Sequence, residues 1–201
     1  MEPLSQKAFD LITNAEGLDQ PGEFPGGDSG VTIGIGYDLG FVTAAELQTD
    51  WGTHLSADVI TRLKTAIGLT GPAAKNKARD FRDIHINRAD ALAVFRASTI
   101  PTTLRTTARA FPGVELLPAD AQGALVSLIY NRGAKMDGDR RREMRAIRDA
   151  VANNSLNLPA KLREIAAQLR SMKRLWIGKG LDGLIKRRED EARLVESTIP
   201  H

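Results

Sequence analysis

The segment Ser29-Gly-Val-Thr-Ile-Gly-Ile-Gly-Tyr-Asp-Leu-Gly40 interrupts a chain that otherwise reads as helix. Seven glycines lie between Gly22 and Gly40, with Pro21 and Pro25 beside and among them. Only here does apolar character alternate at period two. Val31, Ile33, Ile35 and Tyr37 fall on one face of the extended run, and Thr32, Gly34, Gly36 and Asp38 on the other. A polar face floored by glycine leaves room for a ligand. The rest of the chain carries helical periodicity.

Working outward, the strongest helix spans about 118–132, where Ala121, Ala124, Leu125, Leu128 and Ile129 recur at helical spacing before Gly133. The stretch 181–196 repeats the pattern through Leu181, Leu184, Ile185, Ala192 and Val195. Its expected wet face holds Lys186, Arg187, Glu189 and Asp190. An N-terminal helix carries Leu4, Ala8, Leu11, Ile12 and Ala15, with Gly17 as its expected C-cap. Shorter helices are predicted near 43–50, 57–67, 88–97, 101–110, 139–152 and 159–170. Thr43 with Glu46, and Asn87 with Asp90, are start signals. Glycines 178, 180 and 183 mark a loop and a loosened helix start. No repeat, low-complexity tract or linker divides the 201 residues, so one domain is expected. Its small β-containing lobe would cover about 17–42 and its helical body about 43–201. The fold class is α+β, mainly α.

Composition narrows the function classes. A 42% hydrophobic, 26% charged chain of this length buries a core without staples. With no cysteine there is no disulfide framework and no thiol nucleophile or thiolate metal site. His54, His85 and His201 show no metal-ligand spacing, so neither metal nor other cofactor is expected. The N-terminus lacks the basic and apolar regions of a signal peptide, and no apolar run reaches spanning length. Net charge is +3, split as −4 over residues 1–100 and +7 over 101–201. A basic second half suits a polyanion or a solvated arginine-rich surface. Within it, Arg140-Arg141-Arg142-Glu-Met-Arg145 could bind phosphate, but interleaved acids and the absence of any nucleic-acid motif favour a solvated helix face. Gly27-Asp28-Ser29-Gly30 has no preceding histidine to serve as a protease triad, and Gly34-x-Gly36 opens no βαβ unit.

Glu16 follows the first helix, where the negative end of the macrodipole favours a protonated carboxyl. Glycosidic cleavage needs such a proton donor near neutral pH. An isolated glutamate at a helix end is commonly just a polar surface group. The neighbours set this one apart.

Ala15-Glu16-Gly17-Leu18, with the following loop and Thr32-Ile-Gly-Ile-Gly36, resembles the opening of phage-type lysozymes. Ala124-Leu-Val-Ser-Leu-Ile-Tyr-Asn-Arg-Gly133 is similar to that family's buried helix with its Tyr-Asn-x-Gly ending. Gly183-Leu-Ile-Lys-Arg-Arg-Glu-Asp-Glu-Ala192 resembles its final Arg-Arg-x-x-Glu-Ala helix. The three matches run in order, with about 41–115 unmatched. The usual phage pattern has Asp six residues before the Thr, where this chain has Gly26. The order Glu, Thr, Asp is closer to the pesticin-like branch of bacteriocin muramidases. Carried over, it gives Glu16, Thr32 and Asp38, with Asp28 in reserve and Asp19 and Glu23 as loop acids.

The resemblance implies a lysozyme-like fold, with a β-hairpin lobe packed on a helical body and a cleft between. It further implies hydrolysis of the β-1,4 bond between N-acetylmuramic acid and N-acetylglucosamine, with inversion. Glu16 would protonate the leaving oxygen, Thr32 would position water, and Asp38 would support the oxocarbenium-like transition state or activate water. Tyr37, Tyr130 and Asn131 are expected substrate contacts. A straight strand would hold Thr32 and Asp38 about 20 Å apart. Either the chain turns at Gly34-Ile35-Gly36, or Asp38 only caps the Leu39-Gly40 turn.

Two other functions stay open: a lytic transglycosylase, and a module that binds wall or a partner without cleaving. Peptidoglycan is the expected partner, along with a periplasmic immunity protein if the chain is an antagonism toxin. Neither nucleic-acid binding nor membrane insertion is expected, and the chain should be a monomer. It would act in the periplasm or wall of a target or host bacterium, delivered by a holin, by uptake or by a secretion system.

Overall fold

The computed structural model describes residues 4–200. Among the described residues, ten α-helices and one small hairpin make an α+β, mainly helical fold. Contacts divide it into two compact units. Of the described residues, one unit comprises 4–15 together with 102–200, and the other comprises Glu16–Pro101. The partition differs from the expected 17–42 and 43–201. Helix α1 (Gln6–Asn14) joins the C-terminal helices, and the hairpin shares its unit with the helices that follow it.

In the hairpin unit, β1 (Thr32–Ile33) pairs antiparallel with β2 (Tyr37–Asp38), followed by α2 (Ala44–Trp51), α3 (Ala57–Lys64), α4 (Gly71–Ala78) and α5 (Arg88–Val94). The alternating run thus forms two short strands around a turn, the expected hairpin. Thr43 and Glu46 close a reciprocal capping box on α2, and the Asn87 side chain accepts from the Asp90 N–H at the start of α5. Ser56 caps α3 in the same way. The fully buried Trp51 ring lies under the hairpin, 2.8 Å from where a Cβ on Gly34 would sit. Helix α4 was not foreseen. Gly-Pro-Ala-Ala-Lys-Asn-Lys-Ala offers only small alanines, Ala74 and Ala78, to the interior. Helix α5 continues through a π-helical turn, Phe95–Thr99, into α6 (Ile100–Ala110).

The other unit is built around α7 (Ala119–Arg132), whose residues from Ala121 to Ile129 are all buried. Helices α1 and α10 (Asp182–Glu196) pack on it, and α9 (Leu158–Ser171) packs on α10 and on α8 (Arg142–Ala152). A Cβ on Gly123 would lie 2.1 Å from that of Ala8, so the α1–α7 crossing requires glycine. Gly133 ends α7 at φ 68°, donating its N–H to Ile129 O. At α1 the expected Gly17 cap is replaced by Ala15, in right-handed conformation, whose N–H reaches Ile12 O and Thr13 O. Arg187 is buried, contrary to its assignment to a wet face. It accompanies Arg188, Glu191 and Ser127, so the Arg-Arg-x-x-Glu motif is interior. Ser127 Oγ donates to Glu191 Oε1 at 2.6 Å, Arg188 donates to the same oxygen at 2.7 Å, and Arg187 Nε donates to Ser127 Oγ at 3.1 Å.

On the outer side of α10, Glu189 meets Lys173, Arg170 and Arg193. Hydrogen bonds from Lys173 and then Arg170 hold its carboxyl down at about 2, against an ordinary 4.5. A carboxylate depressed by folding contributes stability that is complete above its unfolded value and is lost as pH falls through its folded value. Wild type and Glu189→Gln are therefore expected to differ most in urea-unfolding midpoint above about pH 5. The difference should close between about pH 4.5 and 2. A pH-independent difference would contradict this ion-pair origin.

Candidate active site

The hairpin unit assembles the first chemistry-bearing group. Gly34 and Gly36 both adopt φ 65°, a left-handed conformation that a side-chain-bearing residue enters at a cost, and they reverse the chain around Ile35. Thr32 and Asp38, six residues apart, become direct cross-strand partners. Opposed residues of an antiparallel pair share a face, so both point to the same side of the hairpin. Ile33 and Tyr37, the neighbouring pair, take the opposite side.

Thr32 is 6% exposed, with its Oγ1 3.5 Å from Gly30 O. Asp38 is half-buried, and its carboxylate accepts two backbone N–H groups, Gly30 at 3.0 Å and Gly40 at 2.8 Å. The second bond caps the short 3-10 turn Leu39–Phe41. The chain therefore turns at Gly34-Ile35-Gly36, and Asp38 caps the turn that follows it. A Cβ on Gly30 would lie 2.1 Å from Asp38 Oδ1, so the absence of a side chain there is what admits the carboxylate.

Glu16 lies just past α1, partly exposed, at the first position of the hairpin unit. Three residues on, Asp19 forms a β-bridge with Gly34: Asp19 N–H donates to Gly34 O at 2.7 Å, and Gly34 N–H to Asp19 O at 2.9 Å. Asp19 Oδ2 also accepts from Gly36 N–H at 3.0 Å. These three bonds tie the segment after Glu16 to the hairpin turn. Sequence reasoning passed over Asp19 as a loop acid, because nothing local marks a carboxylate whose partners lie 17 residues away. Asp28, the reserve acid, is exposed among loop residues and makes no side-chain hydrogen bond among the described residues.

Tyr37 is 7% exposed, edge-on to Trp51, and donates its hydroxyl to Asp50 Oδ2 at 2.9 Å. Burial, with Asp50 beside it, pushes the phenol above its ordinary range, so it remains a donor at neutral pH. Its contacts make it a strut beneath the hairpin. Tyr130 and Asn131, at the end of α7, belong to the other unit. The Arg187 guanidinium lies 5.9 Å from the Tyr130 ring, and Asn131 lines a pocket of about 410 Å³. No cluster of three or more His, Asp or Glu side chains suited to a metal occurs among the described residues, which exclude His201.

A family model described as Pesticin, a bacterial toxin homologue of phage lysozyme, C-terminal, matches residues 7–141. The chain belongs to this family. The pesticin match takes in Glu16, Thr32 and Asp38 as well as Tyr130 and Asn131, and it stops before the buried Arg187, Arg188 and Glu191. No curated protein matches the chain. The phage-lysozyme-like toxin domain is thus shown at the level of family, and within it one hairpin pairs Thr32 with Asp38 while Asp19 ties the segment after Glu16 to that hairpin.

Proposed function

We propose that this chain is a peptidoglycan hydrolase that cleaves the β-1,4 bond between N-acetylmuramic acid and N-acetylglucosamine. Glu16 protonates the leaving oxygen, Thr32 orients the attacking water, and Asp38 offsets the positive charge that develops on the sugar ring. The observation that carries this reading is the cross-strand pairing of Thr32 with Asp38 on a hairpin bonded to the segment that follows Glu16. A hydroxyl and a carboxylate on one face suit the handling of a water molecule, which hydrolysis consumes and an intramolecular transglycosylation does not. Inversion at the anomeric carbon accompanies this scheme, with room left between the two carboxyl groups for water.

In its setting the enzyme is a bacterial antagonism toxin acting on the wall from the periplasm of a target cell. It is delivered by uptake or a secretion system and met there by an immunity protein. Sacculus pull-down coupled to a turbidity assay separates lysis from binding. Lysis together with binding is expected, whereas binding without lysis would favour a non-catalytic wall-binding module.

Asp38→Asn tests the second carboxylate. Asn provides one acceptor oxygen where Asp provides two, so either Gly30 or Gly40 loses its partner, at a cost of about 1–3 kcal/mol. Activity per folded molecule should fall by roughly 10²-fold or more, as for loss of an electrostatic transition-state contact. Asp28→Asn, on an exposed loop, should be mild in both respects. A variant of Asp38 that melts early yet keeps full activity per folded molecule would leave the residue as a cap alone. An inactive, normally stable Asp28→Asn would move the second acid to the loop before Thr32.

A further inference from the structure

Beyond the last turn of α7, three arginines converge around one pocket. Arg132, Arg140 and Arg141 line the pocket of about 410 Å³ together with Asn131, Trp176 and Asp137. The neighbouring cations of the same basic tract are used internally. Arg142 meets Glu143 at 3.0 Å and Asp139 at 3.7 Å, and Arg145 donates to the Gly138 carbonyl at 2.9 Å. Arg132, Arg140 and Arg141 form no ion pair among the described residues. Two of them are held by backbone: Arg132 donates to Arg140 O at 2.7 Å, and Arg141 donates to Arg132 O at 2.6 Å. The Arg132 guanidinium also lies 5.0 Å from the Trp176 ring, which is 5% exposed. Its Nε is buried with no hydrogen-bond partner among the described residues.

Such an arrangement is costly unless something compensates it. Burial first, and then Arg141, Arg188 and Arg140, push the Arg132 guanidinium down to about 10, where it is still charged at neutral pH. Like charges that are fixed by packing and outnumber the carboxylates near them are a pre-organised anion site, and a guanidinium fork matches a planar carboxylate in two-point geometry. The pocket is not uniformly basic. Asn131 adds an amide that both donates and accepts, and Asp137 adds one carboxylate that would repel a dianion and attract an ammonium.

We propose that this pocket binds a peptide carboxylate that stands beside an amino group, the chemistry presented by the stem peptides of peptidoglycan. Arg140 and Arg141 take the carboxylate, Arg132 supplies fixed positive charge behind them, and Asp137 faces the amine. The assignment of the stem peptide as source rests on the proposed wall substrate. The pocket itself lies wholly within the α7–α10 unit and uses none of the three residues assigned to cleavage.

The experiment is calorimetric titration with the tripeptide L-alanyl-γ-D-glutamyl-diaminopimelate, with the same tripeptide carrying amidated carboxyl groups, and with inorganic phosphate. Wild type and Glu16→Gln should bind the acidic tripeptide alike. Arg140→Ala, at an exposed side chain, should weaken binding about tenfold or more, as for loss of one charge-assisted hydrogen bond, and amidation should do the same. Arg132→Lys, which keeps the charge but not the fork, provides a second variant whose folding is checked by melting. Equal binding of acidic and amidated tripeptide, unchanged binding by Arg140→Ala, or tighter binding of phosphate than of tripeptide would each overturn the proposal. Tripeptide binding by a protein that never lyses walls would leave the pocket standing and remove the hydrolase reading. Lysis with Arg140→Ala binding like wild type would do the reverse.

Discussion

Glu16→Gln is expected to fold as the wild type does and to lose wall lysis by about 10²–10⁴-fold or beyond. The substitution keeps the shape of a partly exposed side chain just outside α1. What it deletes is the transferable proton. Departure of a sugar alkoxide without protonation is the step that a general acid relieves, and each tenfold loss corresponds to about 1.4 kcal/mol at the barrier. Turbidity loss of purified sacculi at matched folded concentration checks it. More than about a tenth of wild-type activity would place the barrier change under roughly 1.4 kcal/mol, too small for a lost general acid.

Glu191→Gln is expected to be the costliest single change to stability, at about 3–5 kcal/mol. Arg188 and Glu191 are both 0% exposed, and with Ser127 and Arg187 they form a buried polar group in which Arg188 Nε and Glu191 Oε2 have no hydrogen-bond partner among the described residues. Burial works against the carboxylate, and the adjoining guanidiniums work for it. Removing the negative charge leaves the Arg188 cation buried at 5.9 Å from the Trp176 ring with no counter-charge. At roughly 2–4 °C per kcal/mol for a chain of this size, the melting temperature should drop by about 6–20 °C. The double variant Arg188→Met, Glu191→Met, which removes both charges together, should be much less affected. A loss below about 1 kcal/mol for Glu191→Gln would show that the network is hydrated and weakly coupled.

Most helices were legible because burial on one stripe writes a period into the sequence. The capped starts at Thr43 and Asn87, the stop at Gly133 and the long α7 all follow from local rules. Helix α4 escaped because alanine and lysine give a weak stripe. Arg187 was misplaced because a charged residue at that position reads as solvated until its partner Ser127, 60 residues away, is known. The two-unit division was invisible for the same reason: α1 belongs with α7 through the Ala8–Gly123 contact, which no local pattern announces. At the site, glycines 34 and 36 suggested a turn but did not fix its register. Pairing Thr32 with Asp38, anchoring Asp38 on Gly30 and bracing Tyr37 on Asp50 all depend on that register, and the Asp38–Gly40 cap alone is a local bond.

The most direct test of the account is mass spectrometry of the muropeptides released from purified sacculi by the wild-type chain. Products ending in reducing N-acetylmuramic acid, each carrying the mass of one added water, and absent from a Glu16→Gln digest, are expected. Anhydro-muramic ends as the dominant product, or reducing N-acetylglucosamine ends, would contradict hydrolysis at the proposed bond.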